Sequence, residues 1–192
     1  MLVALILTSL ILGSVPFGLI ISLRKGIDPR LTGSGNIGAT NVARSVGKWE
    51  GLVTLLLDLS KGLLPTYIAL KTTNNETFSL ISGLLAILGH CFSPFLNFKG
   101  GKGVATSLGV ILGVKPELAI LALIVFAIVF YIKRIVSLSS ITATVVTTIF
   151  GLFILEHTKS KLIMAIIATI VVLKHKDNIE RLIRGTEPTL KL

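Results

Sequence analysis

Seven stretches of this chain carry apolar residues almost without interruption by charge, at roughly residues 2–23, 50–70, 78–97, 104–114, 117–132, 136–156 and 159–174. Crossing the hydrocarbon core takes about 20 such residues, with a range of ~17–25. Within lipid, backbone N–H and C=O groups must find partners inside the protein, which helices provide automatically. Apolar runs repeated in this way leave one class of fold, an all-α polytopic integral membrane protein. Charged residues make up only 15% of the chain, against about 25% in ordinary soluble domains, and they fall between the runs.

No internal repeat, low-complexity tract or soluble appendage interrupts the pattern, so residues 1–192 read as a single transmembrane domain. The first run continues to Leu23 without a positively charged lead-in and more apolar segments follow, which reads as a retained span. The single cysteine, Cys91, allows neither an internal disulfide nor a multi-cysteine metal site. A net charge of +10 raises the question of nucleic acid. Membrane orientation and anionic headgroups explain basic loops in so apolar a chain, and the basic tail lacks the interleaved aromatics of single-strand binders.

The segment 104–114 is short, and it either crosses separately or merges with 117–132 into one helix broken near Pro116. Charge separates the two readings. With seven crossings and the N-terminus outside, the inner loops hold Arg24, Lys25, Arg30, Arg44, Lys48, Lys99, Lys102, Lys133, Arg134, Lys174, Lys176, Arg181, Arg184 and Lys191, fourteen basic residues against four outside. With six crossings the division is nine against eight, which is no bias. The positive-inside rule therefore favours about seven transmembrane helices, an outer N-terminus and a cytoplasmic C-terminus. The segments 33–44, 97–103, 133–140 and 174–182 then share the cytoplasmic side. Trp49 suits an interfacial anchor.

Those four segments hold the polar chemistry. GSGNIGATN combines Gly33, Gly35 and Gly38 with Ser34, Asn36, Thr40 and Asn41, and Arg44 follows one turn on. Such loops turn N–H groups toward an anion, and a guanidinium grips phosphate oxygens in a fork. NFKGGKG places Lys102 among Gly100, Gly101 and Gly103. It is not a nucleotide-binding P-loop, because Leu96 stands where that motif needs its first glycine. Ser137, Ser139 and Ser140 follow Lys133 and Arg134 at a helix start, where capping and anion binding are both served. The tail KHKDNIERLIRGTEP supplies His175, Asn178, Arg181 and Glu187, and on a helix residues 174, 178 and 181 share a face. Asp58 and Lys61 lie one turn apart inside a span, a spacing that suits an ion pair of structural or catalytic purpose. His90 is open to two readings as well, a buried histidine with one hydrogen bond or a catalytic one.

Taken together, GSGNIGATNVAR, GHCFSPFLNFKGGKGVAT and KHKDNIERLIRGTE resemble the three motifs of the bacterial acyl-phosphate:glycerol-3-phosphate acyltransferases, the PlsY type. The resemblance extends to chain length, motif order and short outer loops. It implies transfer of a fatty acyl group from acyl phosphate to the sn-1 hydroxyl of glycerol 3-phosphate, giving lysophosphatidate and phosphate in phospholipid synthesis. It implies an enzyme of the inner membrane with its site facing the cytoplasm, membrane lipid as surroundings, and no cofactor, metal or nucleic acid. Catalytic roles then fall on Ser34, Arg44, Lys102, His175 and Asn178. Substrate contacts fall on Gly33, Gly35, Asn36, Gly38, Thr40, Asn41, His90, Gly100, Gly101, Gly103, Arg134, Ser137, Ser140 and Glu187, while Asp58 and Lys61 also resemble recurrent family positions. The acyl donor is already activated, so no acyl-enzyme is needed and no Ser–His–Asp triad is evident. A small carrier of phosphate esters is the alternative, but its polar residues would not crowd one face.

Overall fold

A computed structural model describes residues 2–190; Met1, Lys191 and Leu192 lie outside the described residues, and with them one basic residue of the inner count. Among the described residues the chain forms α1 (Leu2–Ser14), α2 (Phe17–Leu23), α3 (Ala39–Ser45), α4 (Lys48–Thr73), α5 (Glu76–Cys91), a 3-10 turn (Pro94–Leu96), α6 (Val104–Val114), α7 (Pro116–Lys133), α8 (Val136–Ile154), α9 (Thr158–Leu173) and α10 (Lys176–Ile183). Five helical segments are long and apolar enough to cross a membrane: Leu2–Leu23, Lys48–Thr73, Glu76–Leu96, Pro116–Lys133 and Val136–Ile154. The other two expected spans, α6 and α9, are helices of 11 and 16 residues.

The bundle nevertheless alternates between two ends. Lys115, just after α6, lies 3.5 Å from Glu76 at the start of α5 and 3.5 Å from Glu156 in the α8–α9 turn, so these turns share one end. Residues 33–44, 102–104, 136–140 and 175–190 gather at the other, around one cavity. The loop before α6 folds inward, leaving Gly101 and Gly103 buried. Pro116 does not bend a long helix. It occupies the first turn of α7, where the missing N–H is harmless.

Small residues bring helices close. α1 runs beside α5 in the same direction, with Ser9 Oγ 2.6 Å from Ser82 Oγ and Gly13 seated on the Ala86 backbone. Gly62 and Gly109 pack α4 and α6 backbone to backbone, as small residues do where a bilayer offers no hydrophobic drive to association.

The first run, expected as one span, remains a single candidate span built of two helices. Pro16 interrupts it and exposes carbonyls that lipid cannot satisfy. Ser93 Oγ donates to the Ser14 carbonyl at 2.6 Å, and Lys61 Nζ donates to the Val15 carbonyl at 3.0 Å. Lys61 also pairs with Asp58 at 2.8 Å, with both side chains buried. The Asp58–Lys61 pair is thus built into the helix break, and the ammonium also faces the Phe17 ring at 5.7 Å.

Candidate functional site

The cavity at the loop end has a volume of about 740 Å³. One wall is polar and is assembled from four separate segments; the other is apolar, with Leu52 and Leu55 of α4 and the stacked rings of Phe126 and Phe130 of α7.

The first loop is organised around Asn41. Its Oδ1 accepts from the Ser34 N–H at 2.8 Å, while its Nδ2 donates to the carbonyls of Pro29 and Asn36 at 2.8 Å and of Thr32 at 3.1 Å. Asn36 Oδ1 accepts from the Gly38 N–H at 2.8 Å. Gly33 adopts φ +59, and a side chain there would also run into Asn41, so both the turn and the packing require glycine. These side chains hold the loop in shape, and the shape presents Ser34, Thr40 and Arg44 to the cavity. Gly35, also at positive φ, faces away from it.

The second loop hangs from the end of α5. Gly101 N–H donates to the His90 carbonyl at 3.0 Å and Gly100 N–H to the Cys91 carbonyl at 3.2 Å. A Cβ on Gly101 would overlap the His90 ring. Gly100 and Gly101 therefore lie behind the cavity wall, where they steer Lys102 and Gly103 into it. His90 is buried, with Nδ1 3.8 Å from Asp58 Oδ1, and its ring edges the cavity between the ion pair and this loop.

The third segment departs from the helix face expected for residues 174, 178 and 181. The helix breaks between Lys174 and Lys176, because Lys174 ends α9 and α10 begins afresh. Lys174 turns away, donates to the Cys91 carbonyl at 3.0 Å and stands 4.9 Å over the Phe92 ring. One carbonyl at the negative end of α5 thereby receives both Gly100 and Lys174 and ties the second and third segments together. His175 lies at the corner with Nδ1 2.7 Å from the Val171 carbonyl. A carbonyl only accepts, so Nδ1 carries the hydrogen and Nε2 keeps its lone pair.

From Lys102 a directed chain of hydrogen bonds crosses the cavity floor. Lys102 Nζ donates to Asn178 Oδ1 at 2.5 Å, and Asn178 Nδ2 donates to Glu187 Oε1 at 2.5 Å. Ser137 Oγ reaches the same oxygen at 2.7 Å and Arg181 Nε reaches Oε2 at 2.7 Å. Burial pushes the Glu187 carboxyl upward, but the bonds from Ser137, Asn178 and Arg181 outweigh it and hold the group below its ordinary value. Burial draws the Lys102 ammonium down from its ordinary value, with Glu187 pulling the other way. Burial likewise lowers His175, so the imidazole is neutral at pH 7.

Of the residues singled out from sequence, Gly33, Ser34, Asn36, Gly38, Thr40, Asn41, Arg44, His90, Lys102, Gly103, Ser137, Ser140, His175, Asn178 and Glu187 all border the cavity. Ser140 bonds back to the Val136 carbonyl at 2.9 Å. Arg134 stands outside. It ends α7 at φ +57, stacks over the Phe130 and Tyr131 rings, and its carbonyl accepts from the Leu190 N–H, fastening the tail. Sequence reasoning named Arg181 only as one of the tail residues, and it gave no role to Lys48 or to the particular residues of the apolar wall. Asp58 is paired with Lys61 and Glu187 with Arg181, which leaves Arg44, Lys48 and Lys102 to make the cavity attractive to anions. Among the described residues no group of three or more His, Cys, Asp or Glu side chains is placed to hold a metal ion.

A family model described as glycerol-3-phosphate acyltransferase matches residues 3–185. A glycerol-3-phosphate acyltransferase of Geotalea daltonii is 47% identical, with 98% of this chain and 97% of that protein covered. One from Aquifex aeolicus is 44% identical over 95% of this chain and 96% of its own length. The crystal structure of PlsY, an integral membrane glycerol 3-phosphate acyltransferase in its glycerol 3-phosphate form, superposes with a TM-score of 0.96 at 39% identity, covering 99% of this chain and 96% of that one. Its lysophosphatidic acid form gives a TM-score of 0.93 at 38% identity, covering 99% and 95%. With its motifs gathered on one cavity and a match along nearly its whole length, this chain belongs to the glycerol-3-phosphate acyltransferase family of integral membrane proteins.

Proposed function

We propose that this protein transfers a fatty acyl group from acyl phosphate to the sn-1 hydroxyl of glycerol 3-phosphate, releasing lysophosphatidate and inorganic phosphate. The observation that carries this reading is a single cavity with a basic, donor-rich wall and an apolar wall facing each other. Both substrates bring a phosphate and one brings a long hydrocarbon. Each wall suits one of these parts.

The hydroxyl oxygen attacks the acyl carbonyl carbon, the carbon–oxygen bond to phosphate breaks, and phosphate leaves with the bonding pair. Lys102 and Arg44 neutralise the phosphates, and with Ser34 they stabilise charge on the carbonyl oxygen as it develops. The hydroxyl proton passes to Nε2 of His175, whose tautomer the Val171 carbonyl selects. Asn178, held between Lys102 and Glu187, orients the glycerol hydroxyl. Gly100 and Gly101 act by placing Lys102, and Arg134 acts by anchoring the tail that carries Glu187. The chemistry needs neither metal nor cofactor, because phosphate is already a good leaving group.

The chain crosses the bacterial inner membrane seven times with its N-terminus outside and the cavity at the cytoplasmic surface. The alternation of turns between the two ends supports this count, and the excess of basic residues at the cavity end supports the orientation. Purified protein in lipid, given labelled glycerol 3-phosphate with palmitoyl phosphate, acyl-CoA or acyl carrier protein as donor, tests the reaction. Lysophosphatidate is expected from palmitoyl phosphate alone and is lost in Lys102→Ala. No product from any donor, in folded protein, overturns the proposal; net movement of glycerol 3-phosphate into sealed vesicles would then favour the carrier.

A further inference from the structure

A second, smaller cavity of about 200 Å³ lies mainly among α6, α7, α8 and α9. It shares Leu55, Val104, Ala105, Phe126 and Ser140 with the large cavity, so the two adjoin at the base of the apolar wall. From there it descends away from the polar loops. Its lining passes along α8 from Ser140 by Ala143 to Thr147, and along α6 from Val104 to Ile111. Seven residues at ~1.5 Å per residue make this descent about 10 Å.

The far end is closed by Met164 of α9 and Leu80 of α5, which are 4% and 3% exposed. Met164 sits in the space that a side chain at position 151 would fill, and Gly151 of α8 leaves that space free. α8 and α9 therefore meet below the channel, with the flexible thioether wedged between them. Midway down, the small Ala143 is buried at 6% exposure and keeps the bore open. Protein interiors are close-packed, so a recess that opens from the reaction cavity and ends at Met164 and Leu80 is a defined feature of the bundle.

We infer that this channel receives the distal part of the acyl chain and that Met164, seated on Gly151, is the stop that sets the longest chain accepted. The inference rests on the acyltransferase reading above. The occupant is the substrate's own tail, because the channel opens into the cavity where the head groups react. An extended chain advances about 1.2 Å per bond, so the 10 Å descent takes up about eight methylenes. Chains ending short of Met164 leave the channel partly filled, and chains that overrun it must buckle.

The experiment is a competition among lauroyl, palmitoyl and stearoyl phosphates at fixed glycerol 3-phosphate, with the lysophosphatidates resolved by mass spectrometry. Met164→Ala is expected to raise the stearoyl-to-lauroyl ratio of kcat/KM about tenfold. Ala143→Leu is expected to lower it by a similar factor, and the volume-conserving Met164→Leu to leave it unchanged. Should Ala143→Leu fold poorly, Ala143→Val gives the same direction with a smaller change. Lysophosphatidate formed by Met164→Ala and an Ala143 variant with the wild-type ratio overturns the stop while leaving the transfer reaction intact. No product from any acyl phosphate with the wild-type protein removes the transfer reading itself.

Discussion

Asn178 stands between a group that can only donate and a group that can only accept, and this makes Asn178→Asp a sharp test of the site. In the native chain Lys102 gives a hydrogen bond to Oδ1, and Nδ2 gives one to Glu187, both at 2.5 Å. The substitution keeps size and shape but replaces the Nδ2 donor with an oxygen facing the Glu187 carboxylate. Two unit charges about 4 Å apart at an effective dielectric constant near 20 repel by about 4 kcal/mol. Lys102, equally close to the other oxygen, offsets most of this, but the hydrogen bond to the Glu187 carboxylate is lost as well, and such a bond to a charged group is worth roughly 1.5–3 kcal/mol. About 2 kcal/mol remains, which corresponds to about thirtyfold in kcat/KM for glycerol 3-phosphate. Protonating the new carboxyl would restore a donor toward Glu187, so the deficit should shrink as pH falls and grow as pH rises. The assay is lysophosphatidate formation from palmitoyl phosphate between ~pH 6 and ~pH 9, wild type and variant side by side. Near-native activity with a pH profile parallel to wild type would refute the directed chain and the orienting role given to Asn178.

Three further outcomes are expected. Burial lowers His175, so its base form should persist through neutrality, and on the acid side activity should fall with a midpoint below the ordinary histidine value of ~6.5; a rate profile whose acid limb lies at or above that value counts against His175 as the proton acceptor. Lys174→Met removes a charge-assisted bond worth roughly 1.5–3 kcal/mol from the Cys91 carbonyl and should lower kcat about tenfold, with Lys174→Arg recovering most of it; equal loss in both, tracking thermal stability alone, would mean Lys174 does not position the loops. Lys61→Met leaves Asp58 and the Val15 carbonyl buried without their partner, which costs about 3–5 kcal/mol; differential scanning fluorimetry in detergent should show a clear drop in Tm, partly reversed by adding Asp58→Asn, and an unchanged Tm would remove the pair from its place at the helix break.

Fold class and the position of the chemistry were both legible along the chain. Apolar runs separated by basic loops permit little besides a helical bundle in a membrane, since no other open structure satisfies its backbone there. The Gly-rich loops and the His175–Asn178 segment stood out because glycines, amides and cations are expensive or purposeless in such a chain unless they meet a polar ligand. Fifteen of the residues singled out from sequence border one cavity.

The division of labour within that set was decided by tertiary structure. Asn41 looks like a ligand on paper, but its amide is taken up by the loop's own backbone, while Asn36 gives only its Oδ1 to the Gly38 N–H. Lys174 shares a helical register with Asn178, yet the helix breaks between them and sends it to the Cys91 carbonyl. Lys61 finds its acceptor 46 residues away and Ser93 finds its own 79 residues away, at a break that local sequence marks only with Pro16. The apolar wall and the channel beneath it were invisible for a physical reason. A leucine or phenylalanine facing lipid and one facing a substrate's hydrocarbon satisfy the same solvent, so helical periodicity cannot tell them apart, and only the packing of α4, α6, α7, α8 and α9 shows which of them enclose a space.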